Sequence, residues 1–116
     1  MEKARVFFTK DISPESVIKV FEALSVELPG KVAVKVHSGE EGNQNYLHPE
    51  FMRPMVEKVD GTIVECNTAY AGARDTTDKH VKLMADHGWS KYFDVDIMDA
   101  DGDDIVFPIE NGRVIK

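Results

Sequence analysis

A chain of 116 residues with 42% hydrophobic content has the length of one domain, and folding would bury roughly 65% of the surface its unfolded form exposes. Its formal net charge of -7 opposes phosphate backbones and anionic lipids, so neither nucleic acid nor membrane is expected as a partner. No apolar run nears the ~18 residues that span a bilayer, the first residues lack a leader pattern, and the single cysteine, Cys66, fits a reducing cytoplasm.

Residues 4–9 (A-R-V-F-F-T) read as a first strand, apolar and rich in β-branched and aromatic side chains. Ser13-Pro14-Glu15 starts a helix: the hydroxyl caps free amides, proline suits the first helical position, and the glutamate complements the dipole. Val17, Val20, Phe21, Leu24 and Leu28 then recur at helical spacing, and Pro29-Gly30 closes the stripe. Residues 31–37 form a second strand with Val32, Val34 and Val36 on one face. A second helix covers residues 49–59, with Pro54 inside it as a kink or a late start. Asp60-Gly61 turns into a third strand, 62–66. A third helix runs from Thr76 or Thr77 to Gly88. Residues 95–98 are a fourth strand, and 105–109 with 113–115 pair as a hairpin across Asn111-Gly112. This order predicts an α/β three-layer sandwich: a mostly parallel sheet with a carboxyl-terminal antiparallel hairpin, in a single domain over residues 1–116. The chain stops directly after its last strand, which reads as the amino-terminal part of a longer protein.

Two polar loops follow the second and third strands, where open α/β sheets bind ligands. In the first, Gly39 and Gly42 allow positive φ angles and close backbone approach. Free amides there favour an anion, while Glu40 favours a cation or a hydroxyl-bearing group. The Gly-Lys-Ser/Thr ending of a phosphate loop and the Gly-x-Gly-x-x-Gly dinucleotide fingerprint are both missing. Asn43 is an orienting group at the end of this loop. In the second, Asn67, Thr68 and Tyr70 supply donors, and Arg74 can grip a carboxylate or phosphate with two prongs. His37 and His80 both fall near the same sheet edge and, with Glu40, are the candidate proton-transfer groups. No short spacing such as His-x-x-x-His joins them, so no metal is expected. Cys66 reads as a small buried residue. Asp99, Asp101, Asp103 and Glu110 share an EF-hand spacing, but Asp104 stands where glycine is needed and the flanks read as strands, so the segment is taken as an acidic turn.

Taken together, Lys35-Val36-His37-x-Gly39-Glu40-x-Gly42-Asn43, Tyr46-Leu47-x-Pro49 and Glu65-Cys66-Asn67-Thr68-x-Tyr70-x-Gly72-x-Arg74, with His80 following, resemble the domain of unknown function 362 family. The resemblance runs from about Ala4 to the final strand. It implies a bacterial or archaeal, cytoplasmic, iron–sulfur-associated protein whose ferredoxin-like cysteine module lies downstream. A 4Fe–4S cluster would then be bound outside this chain, which is expected to hold no cofactor itself. The expected function is a ligand-binding or catalytic domain of that ferredoxin-linked protein, its site at the carboxyl edge of the sheet and its ligand small and anionic or polar. His37, Glu40 and His80 are assigned to catalysis, and Gly39, Gly42, Asn43, Asn67, Thr68, Tyr70 and Arg74 to the ligand. The alternative is a non-catalytic module that docks a downstream iron–sulfur domain or another partner. Both loops must meet on one rim for the site to exist.

Overall fold

Ser13 opens the first helix as its sequence dictates. In the computed structural model, which describes residues 3–100, 105 and 108–114, the Ser13 hydroxyl accepts the Ser16 N–H at 3.2 Å and α1 (Pro14–Ala23) follows. The helix stops well short of Leu28. Ser25 adopts a left-handed φ of 54°, which ends the ladder, and Leu24, Val26 and Leu28 are left about half exposed. α1 packs against α2 (Pro49–Lys58), and Lys58 Nζ meets Glu22 at 2.7 Å. α2 continues through Pro54 without ending.

The sheet has three parallel strands, β1 (Val32–Lys35), β2 (Gly61–Glu65) and β3 (Val95–Ile97), in that spatial order. Val34, Ile63 and Val95 are in register across it, so they share one face. α2, α3 (Thr77–Asp86) and a 3-10 turn (Trp89–Lys91) cover that face with Met52, Val56, Met84 and Trp89. Ile63, Met84 and Trp89 are fully buried. On the other face Ala33, Lys35, Thr62 and Asp96 are exposed and Val64 is buried.

This corrects the expected three-layer sandwich. Strands that follow each other in one direction, joined by right-handed crossovers, place both crossover helices on the same face. α1, the one helix left among the described residues to cover the other side, rests on α2 instead. Residues 4–9 do not form a strand either; a strand exists only where a neighbour pairs with it, and Val6 and Phe8 stand exposed at 86% and 81%. Among the described residues the carboxyl-terminal hairpin is also absent. All pairing is parallel, and among the described residues after Ile97 none lies in a strand. Asn111 (φ 61°) does turn the chain, with the Gly112 N–H reaching the Ile109 carbonyl at 3.2 Å. Val106, Phe107 and Ile115 of the expected hairpin lie outside the described residues, as do Asp101, Gly102, Asp103 and Asp104 of the acidic turn. The radius of gyration, 17.0 Å, exceeds the ~13 Å of a compact domain of about this size. Among the described residues no helix is long and apolar enough to cross a membrane.

Candidate functional site

Alternation along β2 decides where the site begins. Ile63 faces the helices, so Glu65, two residues on, faces them too. It sits at the carboxyl end of the central strand, 3% exposed. Its carboxylate accepts from Lys35 Nζ (2.9 Å), the Cys66 N–H (3.0 Å), the Ser38 N–H (3.2 Å) and Arg74 Nη1 (3.3 Å). Burial pushes this carboxyl up, but the Lys35 ammonium and the two backbone N–H groups outweigh it and hold it below the usual carboxylate range. One buried anion thus ties the loop after β1 to the loop after β2, and the two loops share a rim.

Arg74 is the hub of the second loop. Its own carbonyl closes that loop by accepting the Thr68 N–H at 2.8 Å. Its buried guanidinium lies between two carboxylates, Glu65 on one side and Glu40 on the other. Nη2 pairs with Glu40 Oε1, donates to the Tyr70 hydroxyl at 3.1 Å and lies 3.4 Å from His37 Nε2. The Tyr70 hydroxyl donates to the same Glu40 oxygen at 3.1 Å. The Arg74 hydrogen bond holds the Glu40 carboxyl below its ordinary value. Arg74 Nε is buried and finds no partner among the described residues.

A second network lies beside the first. Asn67 Nδ2 donates to Thr77 Oγ1 at 3.0 Å, which leaves Asn67 Oδ1 to accept from His80 Nδ1 at 3.3 Å. His80 Nε2 is then free to accept from the Ser38 hydroxyl at 3.0 Å; this tautomer is assigned from the bonding pattern. Burial lowers the His80 pKa and keeps the ring neutral. Hydroxyl, imidazole and carboxamide stand in the order of a nucleophile, a base and an orienting group. Ser38 and His80 are nevertheless both fully buried, so in this form the chain of bonds locks the loop rather than offering a hydroxyl to a substrate. Asp99 completes the attachment by accepting the Asn67 N–H at 2.9 Å.

Gly39 has φ 97°, and a Cβ on it would come within 2.8 Å of the Tyr46 ring and of His87. Those rings stack with centroids 4.4 Å apart, while the Ser38 carbonyl accepts from His87 Nδ1 (2.8 Å) and Trp89 Nε1 (3.3 Å). The first loop is therefore clamped just before Glu40. The structure brings His37, Glu40, Tyr70 and Arg74 into one cluster and His80 with Asn67 into the next. Asn43 and Thr68 join neither: the Asn43 side chain accepts the Asn45 N–H at 2.7 Å, and the Thr68 hydroxyl donates to the Tyr70 carbonyl at 3.0 Å. Ser38, Glu65 and Thr77 were not among the sequence candidates. For Glu65 the signal existed, because it lies two residues beyond an inward Ile63. Cys66 is half-buried, less enclosed than expected.

Between the loops and α3 opens a cleft of about 540 Å³, lined in part by Glu41 and Gly42, by Gly72 and Ala73, and by Lys79 and Lys82. Of the expected ligand residues only Gly42 lines it. Lys79 pairs with Asp75 at 2.7 Å and Lys82 with Asp86. Among the described residues no group of three His, Cys, Asp or Glu is placed to hold a metal ion. A 4Fe–4S cluster does not fit these residues, since it takes four thiolates and the chain has one cysteine.

The family model described as "Domain of unknown function (DUF362)" matches residues 32–116, more than half of the chain and including both loops. No curated protein and no solved structure matches the chain.

Proposed function

The chain belongs to the DUF362 family, and from that premise we propose that its carboxyl rim binds a small polar or anionic ligand. The observation that carries this reading is the closure of two loops from neighbouring strands over one cleft of about 540 Å³. That volume lies in the range of small-molecule sites, and the carboxyl edge is where open α/β sheets place them. Gly42 and Gly72 let a ligand approach the backbone closely. Lys79 and Lys82, set against Glu41 and Asp86 in the same wall, favour a ligand that carries an anionic group beside hydroxyls or an amine. In this reading the domain is the ligand-binding or catalytic part of a cytoplasmic iron–sulfur-linked protein, the cluster being held by another region or by a partner.

Amide NMR spectra titrated with inorganic phosphate and small hydroxycarboxylates test the binding. Shifts grouped at Gly42, Gly72, Ala73 and Lys79, with affinity lowered about tenfold by Lys79→Ala, support it; spectra that do not move overturn it. Iron and acid-labile sulfide analysis of the protein and its partners, purified from native cells, tests the redox link. A second reading, a module that docks another protein surface, is favoured by exposed Val6, Phe8 and Ile12 and by the uncovered face of the sheet. Light scattering of the purified chain separates the two: a monomer with a saturable cleft supports the first, association through an apolar face the second.

A further inference from the structure

We propose that Glu40 is a removable internal substitute for the ligand's oxyanion: its carboxylate occupies an anion-recognition site built from Arg74, Tyr70 and His37 and yields it when the ligand arrives. This rests on the reading of the rim as a ligand site and names the group that the site recognises.

The two carboxylates on Arg74 differ in every respect that governs exchange. Glu65 sits on a strand, its side chain 4% exposed, and takes four donors, two of them backbone N–H groups. Glu40 sits on a loop between Gly39 (φ 97°) and Gly42 (φ 74°), its side chain 39% exposed, held through one oxygen by side chains alone. Glu65 is fixed; Glu40 has a free path outward.

Charge makes the exchange selective. Lys35 balances Glu65, so Glu40 is what balances Arg74. If Glu40 swings out, a guanidinium only 6% exposed keeps only Glu65, a carboxylate it shares with Lys35, and an undercompensated buried charge is costly. An incoming oxyanion restores the balance, whereas a neutral ligand does not.

The donors left behind suit an oxyanion. His37 Nδ1 accepts the Gly39 N–H at 3.1 Å, so Nε2 carries the ring proton. Nε2 therefore does not accept from Arg74 Nη2 at 3.4 Å; its N–H is a second donor beside Nη2. The Tyr70 hydroxyl is a third. Arg74 Nε is a fourth, buried and unused by Glu40, and a two-oxygen anion can take Nε and Nη2 together. His37 and Tyr70 are exposed, so the site is reachable from solvent. The cleft begins one residue away on each side, at Glu41 and at Ala73.

The test uses inorganic phosphate and acetate as probes on the purified chain, followed by the Arg74 Nε–H resonance and by amide shifts. If Glu40 closes the site more than about 90% of the time, opening it raises anion affinity at least about tenfold. Glu40→Gln should show that gain, with the Arg74 Nε–H signal shifting as the probe binds, and Tyr70→Phe in the same background should weaken it. If Glu40→Gln does not fold, Glu40→Asp, whose shorter side chain retracts from Arg74, must show the gain instead. Equal affinity in the wild type and the Glu40 variant, with shifts confined to the Lys79 wall, overturns the proposal and leaves the cleft reading standing. No binding to either form overturns both.

Discussion

The rim at the carboxyl edge and the stretch before α1 invert the ordinary placement of side chains. At the rim Ser38, Glu65, Arg74 and His80 are buried; near the amino terminus Val6, Phe8 and Ile12 lie in solvent. Polar groups are buried where partners exist for them, and the end of a parallel sheet supplies backbone N–H groups, counterions and ring nitrogens within reach. Apolar groups stay out where no surface is left to meet them. Both crossovers put their helices on one side of the sheet and α1 stacks on α2, so among the described residues no strand pairs with residues 4–9. The first region is completed by its own sequence, and the second, among the described residues, is left uncovered.

Substitutions put that contrast to the test. Glu65→Ala should do most damage, because it strands the buried Arg74 guanidinium on one exposed carboxylate; the expected loss is ~3–5 kcal/mol in urea unfolding. Gly39→Ala comes next, at about 1–3 kcal/mol, since the new Cβ meets two rings at 2.8 Å in a left-handed conformation. Acidification reaches the rim first through His80. Burial depresses the His80 pKa below its unfolded value of 6.5, so between the two values the unfolded chain binds more protons. Stability is therefore greatest above about pH 6.5 and declines as pH falls below it. His80→Gln should remove that part of the slope in urea midpoints measured across the range. A second decline below 4.5 draws on Glu40 and Glu65, both held under that reference value as Glu50 is, and His80→Gln should leave it in place. Phe8→Asp should have the smallest effect, within about 0.5 kcal/mol, while reducing dye binding and light scattering by the exposed apolar surface.

The middle of the chain was legible in advance for reasons that are local. Val32, Val34 and Val36 alternate, Thr76-Thr77-Asp78 opens a helix, and β1, α2, β2, α3 and β3 all occur within a few residues of their expected bounds. Ser13-Pro14 fixed the start of α1, but its end depended on Ser25 turning left-handed where the apolar stripe ran on to Leu28. Residues 4–9 satisfy every local criterion for a strand and form none, because pairing is a property of the neighbour. At the site, the meeting of His37 and Glu40 with Tyr70 and Arg74 followed from loop position alone. The part played by Ser38 did not, because a serine between histidine and glycine carries no pattern that marks it as buried. Glu65 reads as the first letter of a polar loop, although its place in the alternation of β2 points inward.

Cys66 follows directly on Glu65, and its backbone N–H grips that carboxylate. A lone half-buried thiol at this point gives the molecule a native stopwatch: the rate at which a small alkylating reagent consumes it reports how often the rim loosens. Any compound that settles between the two loops should slow that clock, so occupancy can be timed without knowing what the natural occupant is.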